Sequence, residues 1–315
     1  MIILHSDTLT AHILPYGATL AGLWYRDCPR SLVLGSDDTD SYRNDLCFFG
    51  AIVGPVANRI RDAQVTIGDT QWILPANEGT TCLHSGPNGL HARDWQVTEQ
   101  SGTLVRLACE MAHGDCGLPG NRWFEASYHL SAAGQIDLNL TAKSDRDTLV
   151  NMAHHPYWQL DQGPTVARHM LQVNAQAFTP VDADTLPTGQ VADVQGTAYD
   201  FQDMQRVPAD RPLDANLVLA PQPREHLHPA ATLTASNGMR LEIETDQAGL
   251  QVYNGSGIPC ADVPLHTGQR LTPFAGIALE PQAWPDAPNY PNFHAIRLQA
   301  GDTYRQHLRY KIAKN

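Results

Sequence analysis

The chain has no run approaching the ~18 consecutive apolar residues of a membrane-spanning helix, no cluster of Lys or Arg, and no CxxC pair among its six cysteines. Each absence excludes something. With 21 basic against 33 acidic residues and a formal net charge of −12, it lacks the positive stripe that would engage the phosphates of nucleic acid or an anionic bilayer. Neither is expected as a partner. The opening MIILHSDTLT has no basic region and reaches Ser6 and Asp7 before an apolar core of export-signal length has formed, so the expected compartment is the cytoplasm. There, the cysteines at 28, 47, 82, 109, 116 and 260 read as reduced, mostly buried small hydrophobes. Without close paired spacing they make no thiolate zinc site. Convincing amphipathic helices, repeats of fixed period and low-complexity tracts are also missing. The 24 glycines and 22 prolines are spread evenly rather than gathered into a linker.

What is present is period two. In TLTASNGMRLEIETD, Met239, Leu241 and Ile243 alternate with Arg240, Glu242 and Glu244 around a bend at Asn237-Gly238, a strong hairpin signal. WQVTEQSGTLVRLACEM does the same around Ser101-Gly102, with Val105, Leu107 and Cys109 on one side. In EASYHLSAAGQIDLNLTAKSD the inward set is Ile136, Leu138 and Leu140. Successive strand residues face opposite sides of a sheet, so these patterns predict half-buried strands. The whole chain, residues 1–315, therefore reads as one all-β domain, a large antiparallel β-sandwich with 42% hydrophobic residues to fill it.

Several polar residues sit in apolar or turn-rich surroundings: Asn58 and Arg59 in GPVANRI, His84 in CLHSG, Asp214 in LDANLVL, Gln251 in LQVYNG, His155 in NMAHHPYWQL and Glu280 in GIALEPQAWPDAPN. Strands of a sandwich can bring such residues onto one concave face. Each also has a purely structural reading. Arg59 can be an ion-pair partner, His84 a hydrogen-bonder in a turn, and Asp214 a turn cap. Glu280 follows Ile277, Ala278 and Leu279, an apolar run that predicts a buried strand with a carboxylate at its end. Desolvation would raise its pKa toward the range of a general base, unless a core arginine pairs with it. His226 and His228 in REHLHP could share a strand face and chelate a metal, but the flanking prolines read as a solvated loop.

Taken in order, GPVANRI, LHSGPNG, NMAHHPYWQL, DADTLPTGQVADVQGTAYDF, LDANLVL, LQVYNG and LEPQAWPDAPN resemble the aldose 1-epimerase (galactose mutarotase) family. The likeness runs from about residue 10 to GDTYRQHLRYKI near the C-terminus. It implies a β-supersandwich and interconversion of the α and β anomers of a free sugar such as galactose or glucose, without metal or organic cofactor. Carried over by position, His155 is the general acid and Glu280 the general base. Arg59, His84, Asp214 and Gln251 hold sugar hydroxyls, with Asn58 supporting them. His154, Gln159, Ser85, Ala215, Pro55 and Val56 depart from the usual pattern, which leaves the preferred sugar open.

If 151–155 are extended, His154 and His155 point to opposite faces, so only one can serve the site. The motif selects His155 and leaves His154 as a structural hydrogen-bonder. Both proposed catalytic residues precede a proline, Pro156 and Pro281, which restricts each to extended backbone. Trp158 or Trp284 could offer a ring to the sugar, although core packing is the ordinary role of both. Two other readings stand beside the epimerase one: a sugar-binding or regulatory module without turnover, and an isomerase or hydrolase of sugar lactones on the same fold. A glycoside hydrolase would need two carboxylates flanking one bond, and the motifs supply one.

Overall fold

The computed structural model describes residues 1–26 and 28–314. Among them the strands build a nine-stranded and a six-stranded antiparallel sheet, with a three-stranded sheet at the N-terminus and several two-stranded pairs. Among the described residues the only helical segments are short 3-10 turns, and no helix is long and apolar enough to cross a membrane.

The three period-two segments all lie in the nine-stranded sheet. Leu104–Met111, Arg122–Ser131 and Gln135–Ser144 form a meander, and Thr303–Lys314 bridges it to the hairpin of Met239–Thr245 and His228–Thr234. Val105, Leu107, Cys109, Ile136, Leu138, Leu140, Met239, Leu241 and Ile243 are all buried in the main apolar core. The bend at Asn237-Gly238 takes four residues, 235–238, with Ala235 N–H bonded to Met239 O and Gly238 N–H to Ala235 O.

The six-stranded sheet runs in the order Tyr157–Trp158, Ile277–Gln282, Gly249–Tyr253, Asp214–Val218, Ala177–Phe178 and Ala192–Asp193. One of its faces packs Ile277, Leu279, Leu250, Val252, Ala215, Leu217 and Trp158 into the core shared with the large sheet. Its other face carries polar side chains, and alternation along each strand enforces that division.

Two sequence expectations change here. His228 opens the strand His228–Thr234 rather than lying in a loop, while His226 is exposed. The six cysteines are unpaired, but only Cys82, Cys109 and Cys116 are buried; Cys28 and Cys47 are intermediate and Cys260 is exposed.

Candidate active site

The polar face of the six-stranded sheet is one wall of a cleft of about 640 Å³, a size usual for small-molecule sites. Register explains the clustering. Glu280 lies directly across from Gln251, Gln251 across from Asn216, and Tyr253 across from Asp214. Glu280, Gln251, Tyr253 and Asp214 therefore share one face, and all four line the cleft.

The edge strand Tyr157–Trp158 pairs with only Ala278 and Ile277. Beyond that pair the segment from Glu280 to Gln282 has a strand partner on one side alone, a position where Pro281 withholds no needed donor. The chain preceding the edge strand, broken by Pro156, brings His155 across the open side. His155 Nε2 comes to 3.4 Å from Glu280 Oε1, with both side chains almost wholly buried. The His155 backbone is pinned by its N–H to Ala51 O at 3.0 Å and by Gly50 N–H to its carbonyl at 2.8 Å.

The opposite wall comes from another strand pair. Arg59 stands across from Leu83, so Asn58, Arg59 and His84 arrive together. Asn58 and His84 both have positive φ, 63° and 51°, a costly conformation for non-glycine residues. Asn58 N–H donates to His84 Nδ1 at 3.1 Å, which leaves the ring proton of neutral His84 on Nε2. Arg59 is gripped by Glu78 through Nε–Oε2 at 2.6 Å and Nη2–Oε1 at 3.0 Å, and reaches Asp214 Oδ2 at 3.4 Å. Gln251 Nε2 donates to Asp214 Oδ1 at 2.5 Å.

Burial sets the protonation states. It pushes the Glu280 carboxyl well above its ordinary value, helped by the nearby Asp214 charge. It lowers His155 to about 4 and holds His84 well below the ordinary histidine range. Among the described residues Glu280 forms no ion pair with arginine; its Oε2, like His155 Nδ1 and Gln251 Oε1, is buried without a hydrogen-bond partner. Unpaired polar atoms of this kind are costly unless something else satisfies them, and here they border a cleft.

All seven residues singled out from sequence thus line this one cleft. Glu78, Phe48 and Phe49 line it too and carried no sequence signal. Tyr253 did carry one, since it stands two residues after Gln251 and must share its face. The aromatic surface consists of Phe48, Phe49, Tyr157 and Tyr253, not the tryptophans. Trp158 is wholly buried against Tyr310, and Trp284 packs on Phe293 in a separate apolar cluster. His154 points away from the cleft, fully buried, with Nδ1 2.9 Å from Tyr310 Oη.

The sequence departures also lie off the cleft: Pro55, Val56, Ser85, His154, Gln159 and Ala215 are absent from its lining. Ser85 shows how one is accommodated. It has φ +66°, where glycine would be unstrained. In compensation its hydroxyl accepts from Val56 N–H at 2.8 Å and donates to Val56 O at 3.1 Å. None of these positions reaches the cavity itself.

Comparison with known proteins finds relatives along nearly the whole chain. The aldose 1-epimerase family model matches residues 1–311. The chain belongs to the aldose 1-epimerase family. It is 32% identical to an aldose 1-epimerase of Haemophilus influenzae over 91% of this chain and 86% of that protein. It is likewise 32% identical to a galactose mutarotase of Bos taurus, over 96% and 90%. Among solved structures it superposes on an aldose epimerase homologue from C. elegans with TM-score 0.92 at 30% identity, covering 99% of this chain and 98% of the other. A galactose 1-epimerase from Lactobacillus acidophilus gives TM-score 0.84 at 26% identity, over 99% and 93%. The β-supersandwich expected of this family is the fold observed.

Proposed function

We propose that the chain interconverts the α and β anomers of a free aldose, with Glu280 and His155 as the proton-transfer pair. The observation that carries this reading is the 3.4 Å approach of a buried carboxyl to a buried imidazole at the floor of a sugar-sized cleft. Ring opening requires a base for the proton on the C1 hydroxyl and an acid for the ring oxygen as the C1–O bond breaks. After rotation about C1–C2 the aldehyde recloses on its other face and the two roles reverse. A burial-raised carboxyl beside a burial-lowered imidazole keeps one proton on the pair, and its passage across the 3.4 Å from Glu280 Oε1 to His155 Nε2 leaves Glu280 as the base and His155 as the acid. A binding module has no use for such a pair. The purified chain should speed exchange between the α and β anomeric proton signals of galactose or glucose in NMR; exchange at the buffer rate under saturating protein would refute the reading.

The remaining contacts act on binding. Gln251, Asp214 and the Nε2–H of His84 offer hydrogen bonds to hydroxyls, and Arg59 is held rigid between Glu78 and Asp214. Asp214→Asn should raise KM roughly tenfold to a hundredfold, the worth of a hydrogen bond to a charged acceptor, with a smaller effect on kcat. An unchanged KM would place the sugar elsewhere.

Arg59 is already neutralised by two carboxylates, so no free cationic group lines the cleft among the described residues. Unphosphorylated sugars are therefore the expected substrates, because a phosphate needs an uncompensated donor fork or point charge. Higher kcat/KM for galactose 6-phosphate or any other aldose 6-phosphate than for the free sugar would contradict this.

Turnover should follow a broad bell in pH. The acid limb begins when a second proton joins the pair and removes the base. The lowered pKa of His155, about 4, puts that limb well below neutrality. The alkaline limb appears when the last proton leaves, which the raised Glu280 value delays. An acid limb near the ordinary histidine value of about 6.5 would show that a solvated histidine, not His155, is titrating. Six free thiols fit a reducing compartment such as the cytoplasm, where we place the protein.

A further inference from the structure

Outside the cleft, three side chains far apart in sequence converge. His12 Nδ1 lies 3.8 Å and His266 Nε2 3.6 Å from the same oxygen of Asp37, and the three donor atoms all fall within 4.8 Å of one another. Both nitrogens are buried without a hydrogen-bond partner among the described residues. The His266 side chain is nine-tenths buried, whereas Asp37 is 73% exposed. Two buried imidazole nitrogens thus face one exposed carboxylate at distances too long for hydrogen bonds.

The surroundings hold the two rings in place. Trp24 packs on His12 at 4.5 Å and on His266 at 5.0 Å between centroids. His12 stands opposite Gly22 in the N-terminal sheet, where a Cβ would come within 2.4 Å of Trp24 and 3.2 Å of His266. A bridge between Ser36 and Leu265, with His266 N–H bonded to Gly35 O at 2.8 Å, fixes Asp37 beside His266.

We infer that His12, Asp37 and His266 bind a divalent transition-metal ion that ties the loop over the cleft to the N-terminal sheet. Imidazole with carboxylate suits zinc, whose ~2.0–2.1 Å bonds in tetrahedral geometry set ligand atoms about 3.4 Å apart, with water in the fourth position. The two nitrogens stand 3.8 and 3.6 Å from the Asp37 oxygen, close to that value, and all three donor atoms lie within 4.8 Å of one another. His266 belongs to the connection between Gly249–Tyr253 and Ile277–Gln282, the strands of Gln251 and Glu280, and Ile258 and Pro259 of the same connection line the cleft. The ion would brace the rim without entering it, as none of its three ligands lines the cavity. Sequence spacing could not reveal this arrangement, because neither histidine has a second ligand near it along the chain.

The test uses the full chain stripped with EDTA, then titrated with zinc by calorimetry and by thermal melting. One zinc per chain with a raised Tm is expected, and EDTA treatment alone should leave kcat intact because the proton-transfer pair lies elsewhere. Asp37→Asn, at an exposed position that should fold normally, should weaken zinc binding at least about tenfold, and His266→Ala should abolish both the heat and the Tm shift. Unchanged zinc affinity in Asp37→Asn, or no saturable binding in the parent chain, would overturn the inference. Loss of kcat on EDTA treatment, restored by zinc, would overturn its placement away from the chemistry.

Discussion

Glu280→Gln is expected to bind sugar about as well as the parent chain while anomer exchange falls by roughly 10²–10⁴-fold, the contribution of a positioned base. Glutamine preserves the shape and the strand pairing opposite Gln251 but cannot take the C1 hydroxyl proton. The substitution should not weaken the fold. Burial raises the Glu280 pKa in the folded chain, so stability associated with this group is lost as pH rises above the ordinary carboxyl value toward the folded one. Glutamine does not titrate and escapes that loss. The variant should melt at or above the parent temperature, by a margin that widens with pH. Near-normal exchange in Glu280→Gln would mean that the base lies elsewhere.

His155→Asn should be nearly as damaging, because asparagine cannot deliver a proton to the departing ring oxygen. Its neighbour supplies the comparison. His154 is fully buried on the other side of the chain, bonded to Tyr310 from the large sheet. His154→Asn should therefore cost stability, about 1–3 kcal/mol for a disturbed buried hydrogen bond, and leave kcat within a few-fold of the parent. Equal loss of turnover in the two variants, with both folded, would undo the assignment of His155 as the acid.

What distinguishes the two adjacent histidines in the sequence alone? The period-two rule separates their faces, and the motif around them breaks the tie. The same rule made the inward residues of three hairpins legible, since alternation along an extended chain is a local property. The order of strands in the large sheet is not local. Thr303–Lys314 lies between Gln135–Ser144 and Met239–Thr245, and only tertiary packing decides that. The site divides in the same way. Gln251, Asp214 and Glu280 stood out as polar residues in apolar strands. Glu78 sits in an ordinary-looking turn, and its grip on Arg59 depends on the turn's placement in space. The expectation that Glu280 ends its strand was off by two residues, because Pro281 is tolerated where the edge partner has already stopped. The tryptophans took the core packing that is ordinary for a large ring, because the positions they occupy face core rather than cleft.

The central claim is that the buried Glu280–His155 pair opens and recloses a sugar ring. The most direct measurement is the optical rotation of freshly dissolved, anomerically pure α-D-galactose with and without the protein. The account predicts a faster approach to the same final rotation that buffer alone reaches, with no release of acid. A decay at the buffer rate while labelled sugar remains bound would contradict it and leave a binding module in its place.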